Sequence, residues 1–201
     1  MSVAALPAPA LPERRHVMLV GTILTIAAGA MLFGGLLAGY FATRNATVGA
    51  GGTWGPAANS LPNAALAVTY SALLLSSFTA QWAVSAIKVN ERRQAYVAIA
   101  VTLGLGAAFI NGLSFCWTQL HLGAGTDAFA DYVWAISAVH LLVVVAAMVF
   151  FLVMGFRVFG GQFNARNAEF VASATAFWHF AVVSGAAVWW CLWFLLGGPS
   201  S

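Results

Sequence analysis

The eight basic and five acidic residues of this 201-residue chain all lie outside five long apolar stretches, at about 17–41, 64–87, 95–120, 132–156 and 171–196. That segregation excludes a water-soluble globule. Each stretch has the ~20 residues that a helix rising ~1.5 Å per residue needs to cross ~30 Å of hydrocarbon. A charged side chain at mid-bilayer costs at least about 2.5 kcal/mol, so charges collect where water is. The expected fold is all-α, a polytopic membrane protein of five transmembrane helices. With 62% hydrophobic and 6% charged residues, the chain is expected to form one membrane domain over 17–201, after a cytoplasmic tail over 1–16.

Basic residues orient the spans, because Lys and Arg in short loops stay in the cytoplasm. Arg14 and Arg15 precede the first span, Lys88, Arg92 and Arg93 lie between the second and third, and Arg157 and Arg166 between the fourth and fifth. All seven share one side when the N-terminus is inside. The other side receives Arg44, Asp127 and Asp131, so the predicted topology is N-inside and C-outside. A net charge of +3 spread over three loops is explained by this orientation, and no nucleic-acid partner is expected.

Pro7, Pro9 and Pro12 keep the tail from starting a helix. The apolar run from Val17 is too long for a signal peptide and lacks a clear small-residue cleavage site, so the first span is expected to be retained. The Gly-, Asn- and Pro-rich stretch from Arg44 to Asn63 reads as an outer loop with Trp54 as an interfacial anchor. The remaining loops are short, which makes successive spans antiparallel neighbours.

Helices in lipid associate through small residues that let backbones approach. Ala100, Gly104, Ala108 and Gly112 form one such stripe in the third span, and Gly35 and Gly39 stand in GxxxG spacing in the first, beside Ala30, Gly34 and Ala38. A packing role is expected for these positions rather than a ligand or hinge role.

No Asp, Glu, Lys or Arg lies within a span, and neither an internal repeat nor two equal halves are visible. Transport by this chain alone is therefore not expected. The intramembrane polar groups are chiefly Gln81, Asn111, His140 and His179, with Gln119 near an outer end. His140 and His179 are placed at heights differing by only about 5 Å, which leaves a b-type haem as an alternative to simple hydrogen bonding. Cys116 and Cys191 have no CxxC spacing and read as small buried thiols. A metal site would have to recruit His121, Asp127 and Asp131. Trp189, Trp190 and Trp193 suit the outer interface. Trp178 and His179 lie toward the basic inner side, where Trp82, Arg92, Arg93 and His140 complete a candidate set for a lipid head group.

The order of these features resembles subunit III of haem-copper respiratory oxidases in its short five-helix bacterial form. Met31-Leu32-Phe33-Gly34-Gly35-Leu36-Leu37-Ala38-Gly39-Tyr40-Phe41 is similar to that family's glycine-rich, aromatic segment. Leu61-Pro62-Asn63, then Ser76-Ser77-Phe78-Thr79-Ala80-Gln81-Trp82-Ala83, resembles its second helix. Arg92-Arg93 and Leu105-Gly106-Ala107-Ala108-Phe109 are similar to its third, Val139-His140-Leu141 to the end of its fourth, and Phe177-Trp178-His179-Phe180 to its Trp-His-Phe signature. Four positions depart from the pattern. Gly29, Cys116 and Val182 stand where carboxylates are expected, and Ser137 replaces a His.

The resemblance implies a non-catalytic accessory subunit with no haem or copper of its own. It implies packing against the catalytic haem-copper subunit and the copper-carrying or cytochrome-containing subunits, with phospholipids held between helices, in the plasma membrane of a bacterium. A nitric oxide reductase is the alternative complex. A haem-carrying electron-transfer protein using His140 and His179, and a free-standing lipid scaffold, are the alternatives of other classes. The charge asymmetry makes a direct prediction. Alkaline phosphatase fused after the last span is active, and the same enzyme inserted after Arg93 is inactive; the reverse pattern overturns the orientation.

Overall fold

A computed structural model describes residues 17–55, 62–161 and 169–194. The tail over 1–16, Leu61, Arg166 and the side chain of Trp193 lie outside the described residues. Five helices follow one another: α1 (Val17–Gly49), α2 (Asn63–Lys88), α3 (Arg92–Leu120), α4 (Ala128–Phe159) and α5 (Glu169–Trp189). The last widens into a π-helical turn over Trp190–Phe194. All five are long and apolar enough to cross a membrane.

The helices are longer than the apolar stretches alone. α1 continues past Phe41 to Gly49, so the expected outer loop from Arg44 begins several residues later. The run Ala42 to Val48 contains no proline and only becomes free to leave the helix at the glycines beyond it. α4 begins at Ala128 rather than Tyr132 because Asp127 caps it, accepting a hydrogen bond from the Ala130 N–H at 2.7 Å. α3 ends where His121 turns left-handed, at φ 49°.

The burial pattern is that of a protein dissolved in lipid. Ser76, Thr102, Ser137, His140 and Ser173 are at most 1% exposed, whereas Met31 is 79% exposed, Phe78 75% and Val68 72%. In water such an arrangement has little driving force, because the apolar surface is left outside. In hydrocarbon it is the arrangement that takes polar groups out of the lipid and leaves aliphatic ones in contact with solvent of their own kind.

α5 is the hub. It contacts α1, α2 and α4, while α3 closes the other side against α2 and α4. The closest pairing, α2 with α3, runs along buried Ala80, Ala83 and Ala86 facing Ala95 and Ala98. At the basic end, Glu169 accepts a hydrogen bond from the Leu19 N–H at 3.3 Å, which places a carboxylate at the N-terminus of α1. The Arg157 guanidinium lies 4.8 Å over the Phe170 ring, and Tyr96 stacks on Phe159 at 4.2 Å. At the opposite end Tyr40, Trp54, Phe129 and Tyr132 interlock edge to face. Trp54 thus packs within the bundle's end.

The glycine positions separate into two classes. A Cβ at Gly39 would meet the Tyr132 hydroxyl at 3.0 Å, and one at Gly112 would run into Thr69. Gly34, Gly35 and Gly104 face open space, and Ala100 and Ala108 are exposed on the same outward side of α3. Of the expected stripes, only Gly39 and Gly112 therefore lie at contacts within this chain. Two further tight positions are Gly106, under Trp178, and Gly185, where a Cβ would stand 2.8 Å from both His140 Nε2 and Leu73 Cδ2. Overpacking of that kind costs ~1–3 kcal/mol. Gly185→Ala is expected to lower the thermal unfolding temperature in detergent, while Gly34→Ala leaves it unchanged.

Candidate functional site

Two successive residues of α5 engage two successive residues of α2. The Trp178 indole N–H donates to Ser76 Oγ at 2.9 Å, and Ser77 Oγ lies 2.6 Å from His179 Nδ1. Successive residues on a helix diverge by ~100°, so one pair points into the bundle and the other toward its surface. Trp178 and Ser76 are fully buried, whereas Ser77 and His179 are half-buried.

The inner pair is built around a missing side chain. Gly106 leaves room for the edge of the Trp178 ring, whose Cη2 would stand 2.9 Å from a Cβ there, and Phe151 flanks the ring at 5.0 Å between centroids. The Ser76 hydroxyl donates a hydrogen bond to the Leu73 carbonyl at 2.5 Å, so the donors of this group are satisfied. Trp178, one of the residues expected at a lipid head group, is thus fully enclosed by this chain. Phe180, the next member of the motif, fills the space a side chain at Gly29 would need, its Cζ only 2.7 Å from a Cβ there. The position where the family resemblance leads one to expect a carboxylate is occupied by a ring. Cys116, a second such position, is buried 4.0 Å from Thr69 Oγ1, and Val182, the third, is buried as well.

His140 is likewise interior. It is 0% exposed, its Nε2 lies 2.9 Å from the Ala181 carbonyl, and Phe33, Tyr70 and Phe109 surround its ring at centroid distances of 6.2, 6.4 and 5.5 Å. Because a carbonyl only accepts, Nε2 carries the proton and the imidazole bolts α4 to α5. Of the two histidines, His140 is enclosed by rings, and His179 lies beside Ser77 Oγ and, at 3.4 Å, Gln81 Oε1.

The exposed members of the expected set are Trp82, 40% exposed with its indole N–H on Gln94 Oε1 at 3.3 Å, and Arg92 and Arg93. Arg92 lies beside Gly161, so it faces the end of α4 rather than His179. The outer-loop residues considered for a metal are used locally. Asp127 caps α4, and Asp131 accepts from the Gly125 N–H at 2.7 Å. Among the described residues Cys116 and Cys191 are free thiols.

Ser76, Ser77 and Gly106 were visible in the sequence only as parts of motifs, and Gly185 and Gln94 carried no signal of their own. The pairing across α2 and α5 makes a graded prediction. Ser76→Ala leaves the buried indole N–H of Trp178 without an acceptor, a loss of ~1–3 kcal/mol, and Ser77→Ala at the half-exposed pair is milder. Thermal unfolding in one detergent should rank wild type above Ser77→Ala and Ser77→Ala above Ser76→Ala.

These contacts fall on the segments that carry the resemblance, and comparison with known proteins agrees with it. The family model for cytochrome c oxidase subunit III matches residues 13–196. A probable cytochrome c oxidase subunit 3 of Nocardia farcinica is 30% identical over 84% of this chain and 83% of its own length. A cytochrome c oxidase subunit 3 of Thermostichus vulcanus is 27% identical over 92% of this chain and 88% of its own. That of Corynebacterium diphtheriae is 26% identical over 91% and 90%. With its five apolar helices and a match over nearly its whole length, this chain belongs to the cytochrome c oxidase subunit III family.

Proposed function

We propose that this chain is the non-catalytic accessory subunit of a respiratory haem-copper terminal oxidase in a bacterial plasma membrane. It packs on the catalytic subunit and holds structural lipids, while electron transfer and oxygen reduction take place at haem and copper in its partners. The observation that carries the reading is the use of its intramembrane polar groups. His140, Trp178, Ser76, Thr79 and Thr102 are spent on tying helices together, which is the chemistry of a scaffold. The three replaced carboxylate positions agree, since they are filled by packing at 29, 116 and 182. The names of the similar proteins favour an oxidase over a nitric oxide reductase.

Lipid holding is supported by the surface. An apolar groove of about 410 Å³ between α3 and α4, lined by Leu103, Ile110, Val145, Met148, Val149 and Leu152, has the character of an acyl-chain seat. A second, of about 360 Å³, lies where Met18, Gly21, Thr22 and Thr25 of α1 meet Phe150 and Phe177.

The test is purification through a C-terminal tag after gentle solubilisation, with reduced-minus-oxidised spectra and identification of the accompanying chains. A haem-containing oxidase arriving in stoichiometric amount is the expected result. A colourless chain alone, from membranes cross-linked before solubilisation, overturns the subunit reading. A red chain alone, bleached by His140→Ala, moves the function to haem binding.

A further inference from the structure

We infer that two copies of this chain pair through the outward face of α3, about a two-fold axis along the membrane normal, with Asn111 of each hydrogen-bonded to Asn111 of the other. The pairing goes beyond the proposed function, and within that function it joins two complexes.

The face begins in the sequence. Ala100, Gly104, Ala107, Asn111, Ser114 and Thr118 fall within an arc of about 80° on a helix of ~3.6 residues per turn. The structure leaves all six exposed. The exposed face of α4 is built differently, from Leu142, Val145, Val149, Leu152, Val153 and Phe156. Bulky aliphatic side chains suit contact with lipid chains, whereas small residues let the backbone of another helix come close.

Asn111 determines what that other helix must bring. It lies nine residues, about 14 Å, before the end of α3 at Leu120, within the apolar span. On the same face Ser114 and Thr118 donate to the Ile110 and Phe115 carbonyls at 2.9 and 2.7 Å. The Asn111 carboxamide has no hydrogen bond to any described residue. Two N–H donors and an acceptor facing hydrocarbon are costly until they are matched. A second carboxamide matches them reciprocally, each N–H on the other's oxygen. A two-fold axis along the membrane normal holds both groups at one depth, so this sequence supplies its own partner group.

The flanks of the face are self-complementary too. About such an axis, a residue to one side of the contact meets residues lying equally far to the other side on the partner copy. Phe115, 54% exposed, stands on one side of the arc, and Ala107 and Ser114 on the other. Each phenyl ring is therefore laid over small residues of the partner copy. Beside Phe115 a groove of about 620 Å³ opens between α2 and α3, and Thr69, only 6% exposed, lines it. Thr22, Thr25, Thr47 and Thr102 donate to the carbonyl four residues back. The Thr69 hydroxyl instead has, among the described residues, the Cys116 sulfur at 4.0 Å, a weak partner. Ser114 of the partner copy comes level with Thr69 on that flank, and its lone pairs accept.

The experiment is photo-cross-linking in native membranes of cells that express two differently tagged copies of the full chain. Phe115→p-benzoylphenylalanine is expected, on irradiation, to give a covalent pair carrying both tags, with the attachment mapped by mass spectrometry to α3 of the second copy. Leu142→p-benzoylphenylalanine, on the exposed face of α4, is expected to give no such pair. Adding Asn111→Leu to the Phe115 variant is expected to lower the paired fraction by roughly threefold or more, with the unfolding temperature in detergent unchanged. A product joined to a different polypeptide overturns the pairing and assigns the face to another subunit. Attachment to lipid alone overturns it as well, and so does a paired fraction that Asn111→Leu leaves undiminished. Oxidase subunits are counted in the same membranes after solubilisation. Their absence beside an intact pair is a failure of the proposed function alone.

Discussion

Hydrogen-bond satisfaction in a medium without water is the constraint on which this structure depends. A polar group exposed to hydrocarbon has nothing to bond with, so placement against another polar group on a neighbouring helix is favoured. The paired contacts of Ser76 with Trp178 and Ser77 with His179 meet that demand between α2 and α5. The same requirement ties α2 to α3 through Thr79 and Thr102 at 2.8 Å and α4 to α5 through His140. Apolar burial contributes little between helices already surrounded by apolar lipid. The few polar links consequently set register, and small residues decide how near the helices can come.

That division of labour explains the uneven glycines. Gly106 and Gly185 stand where a large ring from another helix reaches the backbone, beneath Trp178 and beside His140 respectively. The space is shaped for a specific neighbour. Gly34, Gly35 and Gly104 have no such neighbour within the chain. Their lack of side chain is not used by this bundle on its own.

A scaffold of this kind suits an accessory subunit. Its interior is filled, its buried histidine is fixed by a carbonyl, and Phe180 and Cys116 occupy places where the family resemblance points to carboxylates. Whatever carboxylate chemistry other members of the family perform at those levels, these residues supply packing there.

The sequence alone determined the environment, the number of spans and the family. Those follow from where charge is absent and from motif order, which need no knowledge of how helices meet. The outcome for individual residues differed. Trp178 and His140 were legible as polar groups within spans, but one-dimensional position does not say which way a side chain points. The bundle turned both inward. The small-residue stripe of Ala100, Gly104 and Ala108 had helical spacing that fits packing, yet the tertiary arrangement put the opposite side of α3, with Gly106 and Phe109, against α4 and α5. Helix ends also moved, since the cap at Asp127 and the glycines after Val48 act on the backbone and leave hydropathy unaffected. Hydrophobicity is a property of segments and is written along the chain. Facing is a property of pairs of helices, and only the assembled structure chooses the pairs.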